Sequence, residues 1–287
     1  MNQKLRNGTV ITKNNSQDNF LKMLYGNVLG RILLKPMTAP IVSKLAGALL
    51  STPLSCIFIT PFIKKNNIDM TLYEPVIYRS YNEFFTRKIK AKYRPVDMEE
   101  SHFISPCDSK LTVLPITKNC RFTLKQTQYS VASLLRNKRL AAEYQRGYVL
   151  IFRLTVDDYH RYCYVSDGDK EENVFIPGVL HTVNPVANDY FPIYKENSRE
   201  YSVLHSKEFG DIVMVEVGAL LVGKIVNHHG KGQVFRGQEK GYFEFGGSTI
   251  VLLVKEGRVR IDSDILKNSS EQMETVVKFG EKIGTAL

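Results

Sequence analysis

Residues 241–254, GYFEFGGSTIVLLV, constrain the fold more than any other stretch of the chain. Tyr242, Phe243 and Phe245 ahead of the glycines, and Ile250 to Val254 behind them, are aromatic, β-branched or aliphatic, so each half reads as a strand. A Gly-Gly pair between two strands would ordinarily be a hairpin turn. Here no Asn or Asp supports such a turn, and Ser248 and Thr249 run straight into the second apolar segment. The glycines therefore set a hydroxyl at the start of a strand, beside backbone that another group can approach closely.

The same period-two pattern extends over the second part of the chain. Strands are predicted at 110–116, 121–124, 148–154, 174–180, 212–217, 221–226, 242–245, 249–254 and 258–261, with one short helix near 130–137 and a tight turn unit in TVVKFGEKIG. Before them, from Gln17 to about Arg94, the pattern is helical but broken by prolines, and SYNE at Ser80–Glu83 is a capping box opening a helix that carries Phe84, Phe85 and Arg87. Helices first and many short strands afterwards predict an α+β protein: a helical N-terminal region over 1–95, then a mostly antiparallel, sandwich- or barrel-like body over 96–287.

Charge separates the same two regions. Residues 1–95 hold 15 Lys/Arg against 4 Asp/Glu, whereas the remainder is nearly balanced at 24 against 25. This basic region also contains the most hydrophobic stretch, but Pro36, Pro40, Pro53 and Pro61 interrupt it before about 18 apolar residues accumulate. Short amphipathic helices with basic flanks suit the headgroup zone of an anionic membrane; a helical cap on the core is the plainer reading. Nucleic acid is not expected, because the cations alternate with aliphatic residues and no binding motif accompanies them. Four unpaired-looking cysteines and no signal peptide suggest a reducing, cytosolic setting, and the absence of CxxC or HExxH spacing gives no metal site.

Three segments concentrate reactive groups: SPCDSKL with Asp108, DDYHRYCYVSDG with His160 beside two carboxylates, and FGGST with Ser248. Singly, each has an ordinary explanation as a turn cap, a satisfied histidine or a strand serine. Together they supply the Ser, His and Asp needed to activate a hydroxyl. GGST is not the GxSxG elbow of an α/β-hydrolase, and the βαβ alternation of that fold is missing. A serine behind a glycine can instead attack the preceding carbonyl, here that of Gly247, shifting the acyl group from nitrogen to oxygen; elimination and hydrolysis then leave a pyruvoyl group made from Ser248. Backbone N–H groups near Gly246 and Gly247 would stabilise the oxyanion.

These segments, with FFTRKIKAKYRP, IPGVLHTVNP and KENSREYSVL in the same order, resemble the phosphatidylserine decarboxylase proenzyme family from about Tyr81 to the end, and YGNVLGRILL resembles its membrane-associated helices. The resemblance implies self-cleavage between Gly247 and Ser248, giving a β chain of residues 1–247 and an α chain of 248–287 that stay associated. It implies a catalytic set of Asp108, His160 and Ser248, and a covalent pyruvoyl cofactor without metal or pyridoxal phosphate. The substrate would be phosphatidylserine, decarboxylated to phosphatidylethanolamine through a Schiff base, by an enzyme lying peripherally on the cytoplasmic face of the cell membrane, with a homodimer as one option. His160, with an ordinary pKa of about 6.5, suits protonation of the substrate's α carbon. The family often has a second histidine where this chain has Cys163, so His160 must serve both steps or recruit His181. Arg199 resembles a position that contacts substrate, with a structural ion pair as the alternative. A serine hydrolase using the same three residues, or an inactive membrane-binding relative, are the competing expectations.

Overall fold

A computed structural model describes residues 2–11, 24–27, 30, 32, 34, 38–124, 127–182, 193–219, 224–245 and 248–287. The strands Ser109–Pro115, Tyr148–Leu154, Gly210–Val217 and Ser248–Val254 are mostly buried, and YVLIFRL and STIVLLV are nearly continuous in apolar residues because both of their faces are covered. They form the middle of an antiparallel sheet in the order Gly232–Val234, Gly168–Lys170, Arg199–Ser206, Gly210–Val217, Ser248–Val254, Tyr148–Leu154, Ser109–Pro115 and Glu274–Val277, with Val174–Ile176 also paired to Arg199–Ser206. The body is thus layered around an open sheet; no closed barrel forms among the described residues.

Alternation sorts the side chains into two cores. Leu150, Phe152, Leu154, Ile212, Met214, Ile250 and Leu252 pack on one face against two three-stranded sheets and the Ser263–Ser270 helix. Val149, Ile151, Val213, Val215, Val251 and Leu253 pack on the other against the Arg121–Leu124/Thr127–Ser130 hairpin and the helices Val131–Leu135 and Lys138–Ala142. Between the main sheet and the small sheet that holds Glu239–Phe243 lies a fully buried ion pair, Lys240 Nζ to Glu216 Oε2 at 2.8 Å, with Asn227 bonded to both residues.

The doubt about a hairpin at the glycines is met, since Glu239–Phe243 pairs with Arg161–Cys163 and Ile225–Asn227, and Ser248–Val254 with Tyr148–Leu154 and Gly210–Val217. The chain crosses between sheets at the glycines. Several sequence expectations change here. Arg199–Ser206, which its charges disguise as a loop, is an inner strand. Residues 3–11, grouped by sequence with the helical region, add Gln3–Leu5 and Val10–Ile11 to the sheet edge, the first of them parallel to Glu274–Val277. The TVVKFGEKIG turn exists, but its two strands diverge into different sheets, through Gly280 at φ 77°.

Within the N-terminal region, helices occupy most of residues 40–66 and 81–85. Pro40–Leu50 bends by 84° into a second segment, Pro53–Asn66, made of a 3₁₀ turn and a helix. No single described helix is long and apolar enough to cross a membrane, although the bent pair together is, by length and composition. Ile41, Leu45 and Leu49, four residues apart, face outward with Leu54, Ile57 and Phe58. The inner side rests on Tyr81–Phe85, whose N-cap Ser80 accepts from Glu83 N–H at 3.2 Å. Asn82 donates to Gly47 O and Ser51 Oγ, and Ser55 Oγ accepts from Tyr81 N–H.

Candidate active site

Ser248 is the first residue of its strand and pairs with Leu154, the last residue of the neighbouring one. Its side chain points into the core shared with the small sheets and is fully buried. Beyond Leu154 the chain turns back: Asp158 accepts from Thr155 N–H at 2.7 Å and Asp158 N–H donates to Thr155 O at 2.8 Å. That turn returns His160 to the end of the Ser248 strand.

The His160 ring lies 3.5 Å from Ser248 Oγ through Nδ1, and 3.1 Å from the Thr155 carbonyl oxygen through Nε2. A carbonyl only accepts, so Nε2 carries the hydrogen and, in the neutral ring, Nδ1 presents its lone pair to the serine. Burial, then the charge of Arg87, push the His160 pKa down to about 3, against the pull of the Thr155 carbonyl and Asp157. Phe85 covers the ring, centroid to centroid 4.2 Å. The pair is a dry, uncharged base facing a hydroxyl.

A buried ionic clamp fixes the Thr155 turn. Lys110 Nζ donates to Asp158 Oδ1 and to Thr155 Oγ1, both at 2.7 Å, while Thr155 Oγ1 reaches Asp157 and Asp158. Of these groups, sequence flagged only the two carboxylates. A backbone carbonyl leaves no mark in residue types, and Lys110 lies 48 positions from Asp158.

Asp108 is elsewhere engaged. Its carboxylate takes Arg94 Nε at 2.7 Å on one oxygen and Arg94 Nη2 on the other, accepts from Phe279 N–H at 2.8 Å, and has Lys278 Nζ at 3.6 Å. Burial would raise its pKa, but Arg94, Lys278 and the Phe279 amide hold it below the ordinary carboxylate range. Of the expected three residues, the structure brings Ser248 and His160 together, and the acceptor behind His160 is Thr155 O in place of Asp108.

The supporting candidates lie apart from this pair. Cys163 is buried in the core, its N–H bonded to Pro106 O, and burial pushes its thiol pKa up, so it is a neutral apolar group. His181 contacts Tyr25, Asn197 and Glu196, with none of its described contacts to Ser248 or His160, and burial lowers its pKa. Arg199 requires a correction. It is fully buried on the face of the sheet opposite Ser248, and its guanidinium donates to the carbonyls of Leu134, Ser133, Lys195 and Asn197 at 2.6–3.0 Å, fastening the end of the Val131–Leu135 helix. Four of its five N–H groups are spent on these carbonyls. Gly246 and Gly247 lie outside the described residues. No group of three metal-ligating side chains occurs among the described residues.

Comparison with known proteins gives matches over most of the chain. Residues 81–285 match the family profile described as phosphatidylserine decarboxylase. The chain is 49% identical over 266 residues to phosphatidylserine decarboxylase proenzyme 2 of Clostridium acetobutylicum, covering 92% of this chain and 91% of the relative. It is 39% identical to the phosphatidylserine decarboxylase proenzyme of Clostridium novyi, with 94% of each chain covered, and 38% identical to that of Clostridium botulinum strain Langeland, with 93% and 92% covered.

Proposed function

The chain belongs to the phosphatidylserine decarboxylase family, and from that premise we propose that it decarboxylates phosphatidylserine at a pyruvoyl group which it makes by cutting itself between Gly247 and Ser248. The observation that carries this reading is the contact between Ser248 Oγ and the lone pair of neutral His160. Those residues fit the group: the hydroxyl that must be converted is buried and faces a base.

In the self-cleavage, His160 Nδ1 takes the Ser248 Oγ proton as the oxygen attacks the Gly247 carbonyl, and returns it to the Ser248 nitrogen as the amide bond breaks. Loss of the Ser248 α proton then expels the Gly247 carboxylate; hydrolysis of the dehydroalanine releases ammonia and leaves the ketone. A pyruvoyl ketone supplies an electrophile for the substrate amine and a sink for the electron pair left by CO2. His160 holds the proton that the substrate's α carbon must receive. In the uncut chain, with a pKa of about 3, it is a base and not an acid. An anionic headgroup beside the ring raises that pKa and turns it into a donor.

The outward apolar residues of the 40–66 hairpin, flanked by Lys44, Lys64 and Lys65, support docking on an anionic bilayer as a peripheral protein of the cytoplasmic face. Ser248–Val254 is hydrogen-bonded on both sides, which supports continued association of the β and α chains after the cut. A serine hydrolase would need Ser248 open to substrate, and it is fully buried. Mass spectrometry of purified protein tests the proposal. Two chains are expected, the smaller starting at position 248 without a free amine, and Ser248→Ala should stay whole. An active preparation consisting of one unbroken chain would refute it.

A further inference from the structure

Among the described buried arginines, Arg87 alone keeps a buried guanidinium nitrogen without an acceptor. Arg153 is paired with Glu274, Arg199 donates to four carbonyls, and Arg236 donates to the carbonyls of Glu100 and His102. Arg87 is 3% exposed, yet no carboxylate meets it among the described residues. Its guanidinium lies between the Tyr73 and Phe84 rings, 4.4 and 4.7 Å from their centroids. Its two hydrogen bonds, to Phe84 O and Tyr73 Oη, are both long at 3.3 Å, and Nε has no acceptor at all. Tyr78 Oη is a second buried donor without a partner, on a ring 5.5 Å from Phe84. Two orphan donors in one aromatic cluster, one of them charged, make a site that lacks an anionic acceptor.

We propose that Arg87 and Tyr78, with Tyr73, form a subsite for the phosphodiester oxyanion of the lipid headgroup. The inference rests on the decarboxylase reading and deepens it. The charge of Arg87 bears on both His160 and Tyr78. Two residues before it, Phe85 stacks on His160. On the other side, the Tyr78 carbonyl meets Cys56 Sγ at 3.6 Å, within the apolar surface of Leu54, Ile57, Val76 and Ile77. The aromatic cluster that holds the cation thus adjoins the exposed apolar surface on one side and the His160 ring on the other. In a serine phospholipid the phosphorus lies three bonds from the amine-bearing carbon, toward the glycerol, which is the same order. The substrate carboxylate is the wrong anion for this site: a cation bound there would stabilise the charge that must leave as CO2. A planar guanidinium offering two donors matches a phosphodiester.

The test uses the mature full-length protein with three ligands: soluble glycerophosphoserine, an O-alkyl serine ether of similar size without phosphate, and inorganic phosphate. Calorimetry measures binding of each to the native protein, Arg87→Met, Arg87→Lys and Tyr78→Phe, and CO2 release gives kcat and KM for the two serine compounds and for phosphatidylserine in mixed micelles. The native protein should bind glycerophosphoserine more tightly than the ether or inorganic phosphate. Arg87→Met should lose about 10- to 100-fold of that affinity, mainly as KM in turnover, with partial rescue in Arg87→Lys and little change for the ether. Should Arg87→Met not fold, the Tyr78→Phe loss and the native preference for the diester decide the matter. Equal binding of diester and ether, equal losses for both in the variants, or inorganic phosphate binding as tightly as the diester would each overturn the subsite. Arg87-dependent diester binding without CO2 release would leave the subsite standing and remove the decarboxylase reading; CO2 release with binding indifferent to Arg87 and Tyr78 would do the reverse.

Discussion

Acidification is the perturbation that most directly probes the active-site pair. In the unfolded chain His160 takes a proton below about pH 6.5, whereas in the folded protein burial and Arg87 delay protonation to about pH 3. The unfolded state therefore binds the extra proton throughout that window, and stability falls as pH drops through 6.5, levelling only below 3. At about 1.36 kcal/mol per unit, the shift from 6.5 to about 3 corresponds to about 5 kcal/mol in total, of which about 2 kcal/mol is already lost at pH 5. The assay is equilibrium urea unfolding of Ser248→Ala, which keeps the chain whole, against Ser248→Ala/His160→Gln, at pH 7.5 and 5. Other histidines titrate in both proteins, so the difference isolates His160. The single variant should lose about 2 kcal/mol more than the double one on acidification. Equal losses would refute a neutral, buried His160. The same state predicts a self-cleavage rate that stays level from pH 7.5 to about 5, and a break near 6.5 would contradict it.

Asp158→Ala removes the clamp on Thr155 and should slow self-cleavage by about tenfold or more, read as the fraction of uncut chain over time in a refolding or translation assay. Arg199→Met leaves four carbonyls without a donor and should lower stability by about 3 kcal/mol or more while leaving KM for phosphatidylserine unchanged, measured by urea unfolding and CO2 release. Glu216→Leu alone strands a buried Lys240 and should cost about 3–5 kcal/mol, whereas Glu216→Leu/Lys240→Met should recover most of it; a double-variant unfolding cycle checks this. Leu45→Glu/Leu54→Glu should reduce co-sedimentation with anionic vesicles more than tenfold, since each leucine contributes about 1.5–3 kcal/mol on burial, without changing the melting temperature.

The inner strands were legible because burial on both faces writes itself as uninterrupted aliphatic runs, as in YVLIFRL and STIVLLV. Arg199–Ser206 was not, because Arg199 is hydrogen-bonded by the carbonyls of Leu134 and Ser133 and Glu200 by Asn227, partners far away in sequence. Ser248 and His160 were legible as reactive types in loops at strand ends. What sits behind His160 was not: a carbonyl belongs to every residue, and only the Thr155 turn decides which one the ring meets. Asp108 looked free to serve the histidine because Arg94, its partner, lay in a segment read as the end of the helical region. Arg87 looked like one more cation in a basic stretch, since the missing partner of a buried group is a property of three-dimensional space alone.

Ser248 begins a strand held between two others, and under the proposed self-cleavage that position would make maturation a one-way event for the molecule as a folding unit. Before the cut, the 248–287 segment finds its slot as part of the same polymer, at an effective concentration set by the loop that tethers it. Afterwards the slot is already filled, so nothing loosens, and the core still closes over Ile250, Leu252 and Val254. Once such a protein is denatured, however, recovery becomes an encounter between two separate polypeptides, dependent on dilution and exposed to aggregation while the central position stands empty. The native state of the finished enzyme is then preserved by the height of its unfolding barrier, an inheritance from a precursor that folded only once.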